Sequence, residues 1–153
     1  MNLKSLSTPR WYLRSGATAE EVEHVEMALG VRFPLEYRDL IAWTNGADFQ
    51  IGTVYFRLLS LREVVSTNEA LRVQEYIPAT VAIGNDGGDR LYLLDYRSDA
   101  ERPALVEVDA GSLCLADVIV HGSSLDAAFL SWSGIDAARV QLLGCLAART
   151  SKT

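Results

Sequence analysis

The chain has 153 residues, 49% of them hydrophobic and 22% charged, with 4 Pro and 11 Gly; this composition supplies one folded core and excludes collagen-like and low-complexity chains. Fourteen Lys and Arg stand against twenty Asp and Glu, so a net charge of −6 repels a phosphate backbone and argues against a direct nucleic-acid partner. Cys114 and Cys145 are too few for a disulfide framework, the opening residues hold no signal-peptide core, and nowhere do roughly 18 apolar residues run together, so a cytoplasmic protein with no membrane partner is expected.

In chain order, residues 1–17 read as an arm with one apolar anchor at Trp11, Tyr12 and Leu13. Thr18 and Glu21 form the T-x-x-E capping box, which predicts a helix burying Val22, Val25, Ala28 and Leu29. Glu20, Glu23 and Glu26 face water in this reading, and Gly30 stops the helix. Phe33-Pro34 opens a second helix carrying Leu35, Tyr37, Leu40 and Ile41 inward, with Asn45-Gly46 ending it. From Thr53 the period becomes two, with Val54, Phe56 and Leu58 on one face and Tyr55 and Arg57 on the other. Leu61 to Tyr76 reads as a short helix interrupted by Ser66-Thr67-Asn68.

The third quarter carries the strongest local signals. Thr80–Gly84 and Arg90–Asp95 flank the dense turn signal Asn85-Asp86-Gly87-Gly88-Asp89, which predicts a hairpin. A charged connection leads to a third strand, where Val106 and Val108 point one way and Glu107 and Asp109 the other. A further strand is expected over Cys114–Val120. Ser123 and Asp126 then repeat the capping pattern before Leu125, Phe129, Leu130 and Trp132, and an amphipathic segment runs from Ile135 to Ala148. The whole reads as a single α+β domain: N-terminal helices, a central mainly antiparallel sheet covered on one face, and C-terminal helices.

Chemistry is sparse in this pattern. His121-Gly122-Ser123-Ser124 is not a nucleophile elbow, and neither cysteine has a catalytic signature. His24 and His121 stand apart, with no zinc spacing. The glycine turn is flanked by Asp86 and Asp89 and opens no helix, so it suits a hairpin better than a phosphate. No catalytic residue, metal or cofactor is expected. Charge is what stands out: between Asp86 and Asp109 lie seven acids and three bases. Asp86, Asp89, Asp99, Glu101 and Glu107 are therefore candidate contacts for a basic protein partner, with Tyr55, Arg57 and Tyr92 on the outward side of the sheet beside them.

Glu21 through Gly46, EVEHVEMALGVRFPLEYRDLIAWTNG, resembles the N-terminal signature of the SUKH superfamily, an E-x-x-LG-x-x-x-P-x-x-Y run closing on Asn-Gly. Ile83-Gly84 through Asp89 and then Leu93-Leu94-Asp95 resemble its second signature, and Leu125 to Trp132 is similar to its closing helix. Together these cover roughly residues 18–133; Ala47-Asp48 departs from the usual second Gly, and residues 135–153 extend beyond the shared region. The resemblance implies an α+β domain whose bacterial members are commonly immunity proteins, which bind and neutralise toxins without catalysis, and whose eukaryotic relatives are regulatory interaction proteins. A toxin-neutralising protein is the reading it favours, with a regulatory interaction module as the alternative. A small enzyme with a carboxylate-lined site is the more distant rival.

Overall fold

Thr18 accepts the Glu21 amide on its hydroxyl while the Glu21 carboxylate accepts the Thr18 amide, and this reciprocal cap starts helix α1, Ala19–Leu29, in a computed structural model that describes residues 12–134. The Trp11 part of the anchor, Cys145 and the segment from Ile135 lie outside the described residues. Val22, Val25 and Leu29 are buried as expected, and Gly30 ends the helix in the left-handed region at φ 68°. Ala28 is exposed, and Glu26 takes the fourth buried place. Positions 22, 25, 26 and 29 complete the i, i+3, i+4, i+7 stripe, so geometry overrides the polarity of Glu26.

Helix α2, Leu35–Trp43, buries Tyr37, Leu40 and Ile41. Pro34 stands at its N-cap and Leu35 is 73% exposed, not inward: it precedes Tyr37 by two residues, about 200° around the helix, and so falls off the stripe. The chain then makes a strand that the period from Thr53 did not announce. Ala47–Ile51 and Val54–Leu58 pair antiparallel, and the short strand Tyr12–Leu13 pairs with the first of these, so the arm contributes to the sheet. In chain order these strands are β1 (Tyr12–Leu13), β2 (Ala47–Ile51) and β3 (Val54–Leu58).

Ser60 and Glu63 form a second reciprocal cap, opening α3, Leu61–Ala70, and the Asn45 side-chain oxygen accepts the Leu61 amide at 2.8 Å. Arg72, at φ 52°, separates α3 from α4, Val73–Tyr76, so the expected single helix is two. Asn68 is no interruption. It is buried, accepts the Ala82 amide at 2.9 Å and donates to the Ala82 carbonyl at 2.9 Å. It stands in for a strand partner where β3 pairs only with Gly84 and Asn85 of the next strand.

The remaining elements are β4 (Thr80–Asn85), β5 (Arg90–Asp95), β6 (Ala104–Asp109), β7 (Ile119–Gly122) and α5 (Leu125–Ser133). The seven strands lie side by side in chain order, every pair antiparallel. Cys114–Val120 is not one strand: a 3-10 turn at Leu115–Asp117, where the Asp117 amide reaches the Cys114 carbonyl, leaves only its end for β7. Ser124 rather than Ser123 caps α5, accepting the Ala127 amide at 3.1 Å.

Alternate residues of the central strands enter two separate clusters. Val81, Ile83, Tyr92, Leu94 and Leu105 join Phe56 and the buried faces of α1, α2 and α5. Ala82, Leu91, Leu93, Val106 and Val108 pack with Val73, Ile77 and Leu113. Both faces of the central sheet are therefore covered, not one, and the domain is α+β with N-terminal helices and a closing helix. No helix among the described residues is long and apolar enough to cross a membrane.

Candidate functional site

The turn between β4 and β5 is built from its own side chains. The Asn85 side-chain oxygen accepts the Gly87 amide at 2.8 Å, and one Asp86 carboxylate oxygen accepts the amides of Gly88 at 2.9 Å and Arg90 at 3.2 Å. Gly87 adopts φ 83°, and a Cβ there would lie 3.1 Å from Cε1 of Tyr55, so the bare backbone rests on the Tyr55 ring. Gly84 is needed for another reason: a Cβ there would come within 2.8 Å of the Arg57 carbonyl where β4 meets β3.

Beside the turn, the outward side of β2 and β3 presents a polar shelf. Arg57 donates from Nε to Asp48 at 3.0 Å and from a terminal nitrogen to the Tyr55 hydroxyl at 3.3 Å. These bonds hold the guanidinium over the shelf and raise its proton affinity. The shelf of Tyr55, Arg57 and Asp48 thus adjoins the turn that carries Asp86, through Gly87. Asp89 is exposed on the same turn, and its backbone carbonyl accepts the Ala110 amide at 2.7 Å.

On the other face of the same end, Glu107 is only 15% exposed and bridges Arg90 and His121. Trp132 of α5 donates to His121 Nδ1 at 3.2 Å, and His121 Nε2 meets Glu107 at 2.8 Å. Nδ1 must accept, so Nε2 carries the proton and donates to the carboxylate. Both ring nitrogens are engaged, which ties β6, β7 and α5 together. Tyr92 lies in this cluster, with its ring 5.3 Å from Trp132 and 5.0 Å from Phe56. It is 4% exposed, and burial together with the carboxylates of Glu107 and Asp86 pushes its phenol up to about 12. Tyr92 is therefore a core residue and no surface contact. Strand parity could not assign it, because β5 is buried on both faces.

Asp99 and Glu101 lie elsewhere. They sit in the connection between β5 and β6, at the opposite end of β5 from Asp86 and Asp89, roughly 17 Å away at the usual strand rise. One Asp99 oxygen accepts the amides of Glu101 and Arg102 at 2.9 and 3.1 Å, and Glu101 borders a groove with Arg32, Pro34, Leu35 and Arg38. Five expected contact residues thus cluster at the hairpin end, Asp86, Asp89, Tyr55, Arg57 and Glu107, while Asp99 and Glu101 form a second, distant group.

Near that second group a carboxyl pair is half-buried. The Glu36 carboxylate accepts the Leu125 amide at the start of α5 at 3.0 Å, and burial, with the neighbouring Asp126 charge, raises it from 4.5 to about 7. Asp126 is raised by burial as well. Glu26 supplies a further buried carboxylate, accepting the Phe33 amide at 2.7 Å and Arg38 at 2.8 Å, which fixes the turn from α1 to α2.

Residues 16–125 match a family model described as SMI1 / KNR4 family (SUKH-1). No curated protein matches the chain. The matched range runs from the residue before the buried Ala17 to the first residue of α5, and so takes in the α1–α2 turn, the hairpin and the acidic surfaces.

Proposed function

Since the chain belongs to the SMI1/KNR4 (SUKH-1) family, we propose that it is an immunity protein of the cytoplasm, binding and neutralising a cognate basic toxin by protein–protein contact without catalysis. One observation carries the choice of surface. At the hairpin end the carboxylates of Glu107, Asp109 and Asp86 stand around the Arg90 guanidinium, and Asp89 lies exposed on the same turn. The turn that carries Asp86 is fixed by side-chain to backbone hydrogen bonds, so its charge is presented with little ordering left to do on binding.

Such a surface acts first on encounter. A fixed cluster of one sign draws a partner of the other sign and orients it, while Tyr55 and Arg57 on the adjoining shelf supply contact area of the kind found in binding hot spots. The test is to express the protein with the toxin encoded by the neighbouring gene. A stoichiometric complex and restored growth of toxin-expressing cells are expected. Absence of both, with the protein folded, overturns the reading.

A further inference from the structure

We propose that β7 is the edge through which two copies of this chain pair, antiparallel about a two-fold axis at Val120, to give one continuous sheet. The proposal does not depend on the toxin reading. β7 is the last strand in the order, and among the described residues it pairs on one side alone, with β6. β7 is four residues long and its register with β6 shifts beside Val106, but Val118 through Leu125 contain none of the Lys, Arg, Asp, Glu or Pro side chains that keep other strands away from natural edges.

The apolar surface here has a direction. Leu93, Val106 and Val120 lie opposite one another across β5, β6 and β7. The first two are 0% exposed, but Val120 is 66% exposed. The row of the second cluster thus runs to the edge and stops uncovered, with Ile119 at 48% on the other face and Leu115 at 47% nearby. A second copy set about an axis at Val120 continues that row through its own Val120, Val106 and Leu93. An antiparallel strand edge is self-complementary under a two-fold operation, which is the commonest symmetry of homo-oligomers.

Charge selects the second copy over other occupants. Two molecules of net charge −6 repel over their acidic ends, so they meet where charge is absent. In this register His121 faces Ile119 of the copy, and Asp117, in the turn before the strand, lies off the axis and away from its counterpart. A basic partner is drawn to the carboxylates of the hairpin end and gains nothing from an uncharged strand.

The full chain, measured by sedimentation equilibrium, should have twice the 16.8 kDa mass of one chain, and Val120→Lys, which sets two cations face to face on the axis, should return it to 16.8 kDa with an unchanged far-ultraviolet spectrum. Val120→Cys supplies an independent reading: mild oxidation should give a covalent dimer through residue 120, because directly opposed residues of an antiparallel pair lie within disulfide reach. Single-chain mass for the wild type at every concentration overturns the proposal. A dimer that survives Val120→Lys, or the absence of a residue-120 crosslink, overturns it equally, since the contact then lies on another surface.

Discussion

The two ends of β5 carry similar amounts of acid and use it in opposite ways. At the hairpin end, Glu107, Asp109 and Asp86 surround Arg90, Arg57 is taken up by Asp48, and Asp89 is held out to water. At the other end, Asp95 is paired with Arg97 at 2.6 Å, and one Asp99 oxygen is occupied by the backbone amides of Glu101 and Arg102. Close by, Glu36 and Asp126 are drawn into a site that favours their neutral forms. Asp89 at one end and Asp99 and Glu101 at the other are exposed, whereas Asp86, Glu107 and Asp109 are partly buried around Arg90, so exposure alone does not separate the two ends; the number of carboxylates gathered around one guanidinium does.

The largest expected effect separates the two ends directly. Asp86→Lys with Asp89→Lys should slow association with the proposed basic toxin about 10-fold or more at low salt, with the difference shrinking as salt rises, whereas Asp99→Lys with Glu101→Lys should change it by less than about 2-fold. Stopped-flow association at two ionic strengths reads this, and equal slowing by both pairs breaks the comparison. A smaller effect concerns the rigidity of the hairpin end. Gly87→Val forces a branched side chain to φ 83° against Tyr55 and should cost about 1–3 kcal/mol in urea unfolding. Gly88→Val, where φ is ordinary and a Cβ meets Asp86 at 3.4 Å, should cost less than half as much.

The smallest effect sharpens the other end. Glu36 holds its proton up to about 7 when folded and releases it near 4.5 when unfolded, so its contribution to stability is complete below about pH 4.5 and is lost as pH rises through 7. Glu36→Gln keeps an acceptor for the Leu125 amide and cannot ionise. After allowance for the solvent that reaches this half-buried group, it should stabilise the protein by about 1 kcal/mol at pH 8 and leave it unchanged at pH 4.5. Equal urea midpoints at the higher pH would remove the pair from the comparison.

Much of the frame is legible in local sequence because its causes are local. Thr18 and Glu21, the five-residue turn and the strands on either side of it each specify their element within a few residues. The same notation would have found Ser60 and Glu63, and the alternation of Ala47, Phe49 and Ile51 with Asp48 and Gln50 already carries β2 and, with it, the partner of Arg57. The separation of Asp86 and Asp89 from Asp99 and Glu101 also follows from the elements, since successive turns of an antiparallel meander open at opposite ends. Glu26, Asn68 and Tyr92 are different. Their burial depends on Phe33 and Arg38, on an unpaired stretch of β4 and on Trp132, and none of these neighbours can be read from strand or helix period.

Strand order has a consequence for synthesis. Because each strand of the sheet lies beside the one made just before it, no strand has to wait for a distant partner to leave the ribosome, and pairing can follow translation from β1 to β7. The exception is the aromatic seal: Phe56 and Tyr92 stay without Phe129 and Trp132 until α5 emerges. A nascent chain halted before residue 125 should thus hold a formed sheet with one face still greasy, the state most in need of a chaperone.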